Sequence, residues 1–173
     1  MVKIERNISI SIPVEKVFSY MSHPINQLEW LPGLVDIQDI KGEGVGRTCN
    51  WTYKMMGIPF KGKAECLEHI SNERIVTKTT GSINSTWVFA FIPQGGMTSV
   101  NLVVDYTIPV PLFGRLGEKM ILWQNERRAD LAMTKIKKSL EYRYQFKIHA
   151  RESVDRNHLD QGSAVMNRDV GDR

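Results

Sequence analysis

The chain has 173 residues, 42% of them hydrophobic, which is enough for one substantial core but too few for two ordinary domains. No apolar run is long enough to cross a bilayer as a helix, and the first residues alternate instead of forming a basic segment before an apolar one. We therefore expect a cytoplasmic protein. The net charge of +4 arises in residues 112–146, which hold eight basic and four acidic residues. No nucleic-acid-binding motif accompanies this excess, so we interpret it as the solvated side of a helix and expect no nucleic-acid partner.

The first strand is predicted over residues 4–13, where isoleucines alternate with polar residues. Pro13 ends this strand and suits the first turn of a helix, which the spacing of apolar residues predicts for residues 13–21. Pro24 restarts the chain into a second short helix over residues 25–31. Two short helices are thus expected after the first strand.

Six further strands are predicted in a meander, at residues 34–40, 47–55, 60–70, 74–80, 85–93 and 98–109. The glycine-rich stretch KGEGVG at residues 41–46 precedes a strand and not a helix, so we interpret it as a turn and not as a dinucleotide site. After Gly117 no glycine or proline interrupts the chain before Phe146, which predicts one long helix. We expect one domain over residues 1–146 and a polar, disordered or loosely helical tail over residues 147–173.

The hairpin in NWTYKMMGIPFKGKAEC, residues 50–66, sets an apolar face against a charged one. We place Gly57 and Ile58 at the centre of its turn. The cross-strand pairs on the apolar face are then Met55 with Phe60, Tyr53 with Gly62, Trp51 with Ala64 and Cys49 with Cys66. We accordingly expect two neighbouring, inward-facing thiols, reduced in the cytoplasm.

The long helix carries two apolar stripes, and we expect the first to face the sheet; they are Leu116, Met120, Trp123, Arg127 and Leu131, and Ala129, Met133, Ile136 and Leu140. Bulky rings in such stripes usually form a core, but on a curved sheet beneath one helix they can also line a cavity. The predicted ligand-binding residues are Trp51, Tyr53, Phe60, Trp87, Phe89, Tyr106, Met120, Trp123 and Arg127. Arg127 is expected to be the cation of the cavity wall, either in a structural salt bridge or as an anchor for an acidic ligand.

The order of strand, two short helices, six strands and long helix resembles the START-like superfamily of SRPBCC type, which includes birch-pollen-allergen-like proteins and polyketide cyclases/dehydrases. The resemblance covers residues 2–146 and is carried by IPVEKVFSYMSHPINQLEWLPG, the glycine turn before RTCNWTYKM, WVFAFIP followed by GGMTSVNLVVDYTIP, and the final helix. It implies an α+β helix-grip fold, in which a bent seven-stranded antiparallel sheet surrounds the long C-terminal helix. An apolar cavity lies between sheet and helix in that fold.

The resemblance also implies that the hairpin tip lies near the cavity mouth. We therefore expect Met55, Met56, Ile58 and Phe60 to form a mobile apolar rim and not part of the core. Transient membrane contact through Met55, Met56 and Ile58 is one use of such a rim.

Residues typical of catalysis or metal binding show no supporting pattern. The four histidines lack ligand spacing and neither cysteine has a histidine near it in sequence, so we expect no metal site, no cofactor and no identifiable catalytic residue. Three functions stay open: binding or transport of a small hydrophobic ligand or lipid, a polyketide-cyclase-like enzyme, and a protein–protein interaction module. We place ligand binding first.

Overall fold

A computed structural model describes residues 2–55, 57–107 and 126–145. Its strands are β1 (Val2–Ile10), β2 (Leu34–Lys41), β3 (Thr48–Met55), β4 (Ile58–Ile70), β5 (Arg74–Gly81), β6 (Asn84–Gln94) and β7 (Met97–Thr107). The helices are α1 (Val14–Ser22), the short α2 (Gln27–Trp30), which follows a 3-10 turn at Pro24–Asn26, and α3 over residues 126–145. The seven strands and two short helices predicted from sequence are confirmed. The predicted tail lies outside the described residues.

The seven strands form one antiparallel sheet in the order β1-β7-β6-β5-β4-β3-β2. Only the connection that contains α1 and α2 leaves the meander, because it carries the chain from one edge strand, β1, to the other, β2. β1 ends at Ile10, earlier than predicted, and Pro13, with φ −59° and ψ 146°, is the N-cap residue directly before α1. The helix then buries its apolar face, including Val17 and Phe18.

One face of the sheet is covered by apolar packing. Period-two alternation turns Val100, Leu102 and Val104 of β7 inward, and all three are buried. The buried residues of α3 are Ala132, Met133, Ile136 and Leu140. These spacings of three and four residues place them on one side of the helix.

Polar contacts link α3 to strands near both edges of the sheet. On β1, the Nε of Arg6 donates to the Asp130 carboxylate at 2.5 Å, and the Nζ of Lys137 donates to the Ser9 carbonyl at 2.9 Å. On β3, the Arg128 guanidinium donates to the Tyr53 hydroxyl at 2.6 Å. Since β1 and β3 stand five places apart in the strand order, one helix reaches both only because the sheet bends around it. The predicted helix-grip fold is confirmed.

The register of the β3–β4 hairpin differs from the predicted one. The observed pairs on the apolar face are Met55 with Ile58, Tyr53 with Phe60, Trp51 with Gly62 and Cys49 with Ala64. The predicted register, and with it the direct pairing of Cys49 with Cys66, is wrong by two residues. The pairing of Met55 with Ile58 closes the hairpin, and Gly57, next to Ile58, supplies the left-handed φ of 80° that a tight turn requires. A shift of two residues leaves every side chain on its predicted face, so both cysteines still lie buried, as free thiols.

Candidate functional site

A cavity of about 170 Å³ lies between the sheet and α3. All seven strands, α2 and α3 contribute to its wall, which is largely apolar. The aromatic side chains of the wall are Trp30, Trp51, Tyr53, Trp87, Phe89 and Tyr106. The tertiary fold thus gathers rings from several different elements around one space.

Five of the nine predicted ligand-binding residues line this cavity, namely Trp51, Tyr53, Trp87, Phe89 and Tyr106. Phe60 is buried and paired with Tyr53, but it is not part of the wall. Met120 and Trp123 lie outside the described residues.

The prediction that Arg127 lies in the cavity wall is wrong. Arg127 is exposed, and the cation of the described wall is the next residue, Arg128. Leu131, from the same predicted stripe, is 49% exposed. Successive helical residues are about 100° apart around the axis, so the observed rotation of α3 turns the second stripe toward the sheet. No signal in the sequence identified Arg128, because neither predicted stripe includes it or Ala132, the buried residue one helical turn later.

The Arg128 side chain is held by three neighbours at the edge of β3. Its Nη1 donates to the Tyr53 hydroxyl at 2.6 Å and to the Lys54 carbonyl at 3.2 Å, and its Cζ lies 5.4 Å from the centre of the Tyr53 ring. Gly33 lies against the same guanidinium, and a Cβ at Gly33 would come within 2.8 Å of Nη1. The φ of 96° at Gly33 also favours glycine. Local backbone geometry therefore makes room for the arginine.

A second polar group in the wall is a chain of hydrogen bonds around Ser85. The Trp87 indole donates to the Ser85 Oγ at 2.8 Å, and the Ser85 and Thr79 hydroxyls lie 2.6 Å apart. The Thr79 hydroxyl donates its one hydrogen to the Ile83 carbonyl at 3.2 Å, so Ser85 must be the donor to Thr79. Both hydroxyl hydrogens are used, so these two hydroxyls can only accept hydrogen bonds from a ligand.

Trp51 stands over Gly62 on the neighbouring strand. A Cβ at Gly62 would lie 2.4 Å from the Trp51 Cζ2, so only glycine leaves room for this ring. The indole nitrogens of Trp51 and Trp30 are buried and have no hydrogen-bond partner among the residues that the structure describes. This part of the wall is therefore shaped by packing.

The cysteines show no sign of nucleophilic or metal chemistry. Burial raises the pKa of the Cys49 thiol, which lines the cavity, and the nearby Arg47 opposes this shift only in part. Burial likewise raises the pKa of the Cys66 thiol. Both groups therefore stay protonated and weakly nucleophilic at neutral pH. Within residues 2–55, 57–107 and 126–145, no cluster of His, Cys, Asp and Glu could hold a metal ion.

The predicted apolar rim is only partly present. Met55 and Phe60 are each 3% exposed, so the prediction that they lie on a rim is wrong. Ile58, beside the turn, is 42% exposed, and Met56 lies outside the described residues. Met55, Phe60 and Ile58 all share the inward face with Trp51, and Ile58 is exposed because it lies at the end of β4, beside the turn.

The fold and its cavity beneath the long helix define a START-like protein of the helix-grip type. A family model described as "Polyketide cyclase / dehydrase and lipid transport" matches residues 1–141. The chain belongs to this family, and the resemblance noticed in the sequence is confirmed. No curated protein sequence matches the chain significantly.

Solved structures agree on the fold. The protein TTHA0849 from Thermus thermophilus is 18% identical over 82% of this chain and 98% of its own, with a TM-score of 0.72. DR_A0006 from Deinococcus radiodurans is 12% identical over 82% of this chain and 98% of its own, with a TM-score of 0.63. The Zhui aromatase/cyclase from Streptomyces sp. R1128 is 11% identical over 83% of this chain and 95% of its own, with a TM-score of 0.69. At such low identities these likenesses show the shared fold alone. None of the helices in the described part of the chain is long and apolar enough to span a membrane.

Proposed function

We propose that this protein binds and carries a small hydrophobic molecule in the cavity beneath α3. The observation that carries the proposal is the composition of the wall, where aromatic and aliphatic side chains surround a few polar groups, as is usual in small-molecule sites. Membership of a family described by polyketide cyclases, dehydrases and lipid transport supports this proposal.

The volume of the cavity limits the size of the ligand that it can hold. Its volume of about 170 Å³ is close to that of an apolar cavity of about 150 Å³ that takes up benzene. Pockets for drug-sized ligands are larger, at about 300–1,000 Å³. A molecule with one ring or a short chain therefore fits the wall as it stands, and a larger one requires the wall to open.

Toluene tests this proposal because it has no polar group and so reports on the cavity alone. We expect saturable binding in ligand-observed NMR and a rise in melting temperature that grows with toluene concentration. Ala132→Leu, which adds bulk at a fully buried wall position, should abolish both effects. Leu131→Phe, at the exposed neighbouring residue, is the matched control and should leave them unchanged. Toluene binding that survives Ala132→Leu, or no binding by the folded wild type, would refute the proposal.

An enzyme of the polyketide-cyclase type is the second candidate. It is favoured by the Tyr53 hydroxyl, which accepts from Arg128 in the wall and could donate its own hydrogen to a developing enolate. Incubation with a short poly-β-ketone thioester, followed by mass spectrometry, would detect loss of water on cyclisation. If turnover occurs, Tyr53→Phe should slow it; no product above the buffer control would leave the binding function alone.

Membrane contact stays a proposal for the hairpin tip. Ile58 is 42% exposed there, and the nearby Lys54 and Lys61 are also exposed, as suits an anionic lipid surface. Buried Met55 cannot take part. Sedimentation with phosphatidylglycerol vesicles should capture the wild type more than Ile58→Ser; equal sedimentation would contradict this role.

A further inference from the structure

We propose that the polar end of the ligand is a carboxylate, bound by Arg128 and Tyr53. The inference rests on the proposed binding function and adds to it the chemical class of the ligand. Three features of the wall carry it: an uncompensated charge, an unused edge of the guanidinium, and an anchored geometry.

The charge of Arg128 has no partner of opposite sign among the described residues. The described ion pairs are Lys3 with Glu5, Arg6 with Asp130 and Arg74 with Glu68. Arg128 is half-buried against a largely apolar cavity, and the groups it contacts, the Tyr53 hydroxyl and the Lys54 carbonyl, are neutral. A cation that is partly withdrawn from water favours an anion beside it, because the ion pair restores part of the lost solvation.

The hydrogen-bonding capacity of Arg128 is also only partly used. The two hydrogens of Nη1 serve Tyr53 and Lys54. The Nε hydrogen and the Nη2 hydrogens have no acceptor among the described residues, and the Nε–Nη2 edge presents two parallel N–H groups. Two parallel donors match the two oxygens of a carboxylate. The Tyr53 hydroxyl accepts from Arg128, so its own hydrogen is available to the same anion.

The guanidinium is fixed before any ligand arrives. Its hydrogen bonds to Tyr53 and Lys54, and its close approach to Gly33, hold the side chain in the observed position. A long, flexible arginine normally loses rotamer freedom when it binds, and that loss has already occurred here. Such an arrangement favours selective recognition of an anion over general attraction of any polar group.

Acid and alcohol pairs of nearly equal shape test the proposal. The probes are 3-phenylpropionate against 3-phenylpropan-1-ol, and hexanoate against hexan-1-ol, titrated at pH 7 by tryptophan fluorescence, since three tryptophans line the cavity. The wild type should bind each acid at least about tenfold more tightly than its alcohol, because hydrogen bonds to charged groups are the stronger kind. The aromatic and aliphatic pairs then show whether the ligand class is ring-based or chain-based.

Arg128→Gln should reduce acid binding by about tenfold or more and leave the alcohols nearly unchanged. Arg127→Gln removes the same charge from the exposed neighbouring residue and should leave the preference for acids intact. Arg128→Lys keeps the charge without the two-donor edge, so its preference should be intermediate. Circular dichroism and melting temperature establish that each variant is folded, and if Arg128→Gln does not fold, the lysine variant decides.

Equal binding of acid and alcohol by the wild type would overturn the proposal. So would an equal loss of acid preference in Arg127→Gln, which would indicate general electrostatic attraction. If toluene binds while the acids gain nothing, the cavity function stands and only this inference fails. If toluene and all four probes fail to bind, both proposals fall.

Discussion

Replacing Gly62 with alanine tests the hairpin register and the shape of the cavity together. Gly62 lies opposite Trp51, and a Cβ at this position would lie 2.1 Å from the Thr80 carbonyl oxygen and 2.4 Å from the Trp51 Cζ2. Both distances are far below van der Waals contact. In the register first predicted from sequence, Tyr53 and not Trp51 would face Gly62, and the indole would stand over Ala64.

The expected loss of stability lies at the upper end of the range for overpacking. Inserting one carbon into a tightly packed site costs about 1–3 kcal/mol, and here one of the two clashing groups is backbone that cannot rotate away. We expect Gly62→Ala to lower the free energy of unfolding by about 3 kcal/mol. For a chain of 173 residues this corresponds to a fall in melting temperature of about 6–12 °C.

Thermal unfolding followed by circular dichroism measures this effect, and toluene binding reports whether the displaced Trp51 ring enters the cavity. Gly44→Ala is the control, because a Cβ there meets nothing within 4 Å and only the left-handed φ of 59° opposes it. That backbone cost is about 1–2 kcal/mol. A loss in Gly62→Ala no larger than in Gly44→Ala would refute both the register and the packing of Trp51 on Gly62.

Two further predictions concern the two thiols and the hydroxyl of Ser85. Cys49 and Cys66 should react slowly with a disulfide reagent at pH 7.5 unless the protein is unfolded, because burial raises the pKa of both thiols. A raised pKa means that the folded state holds these protons more tightly than the unfolded state does. The resulting contribution to the free energy of unfolding is complete at neutral pH and is lost as the pH rises above about 8.5, the usual pKa of a free thiol. Immediate labelling of the folded protein would contradict this. Ser85→Ala should lower the free energy of unfolding by about 1–3 kcal/mol in urea denaturation, because it leaves the Trp87 N–H and the Thr79 oxygen without their partner. A loss below about 0.5 kcal/mol would indicate that water replaces the hydroxyl.

Period-two alternation, together with the prolines and glycines between segments, was sufficient to predict the strands and helices. Period-two patterns located all seven strands and Pro13 located the start of α1, whereas the helix-grip fold was implied by the resemblance to the START-like superfamily. Strand alternation also assigned five rings to the inward face that forms the cavity wall. These features depend on residues close together in the chain, and local sterics and side-chain direction decide them.

Register and helix rotation, by contrast, were decided only by the tertiary structure. A shift of two residues in the β3–β4 hairpin preserves every inward and outward assignment, so the alternation cannot choose between Gly62 and Ala64 as the neighbour of Trp51. Both stripes of the predicted long helix were apolar enough to face the sheet. The choice between Arg127 and Arg128 depends on contacts with strands far away in sequence, above all those of Asp130 with Arg6 and of Arg128 with Tyr53. One residue corresponds to about 100° of helix rotation, and only packing against a completed sheet determines that angle.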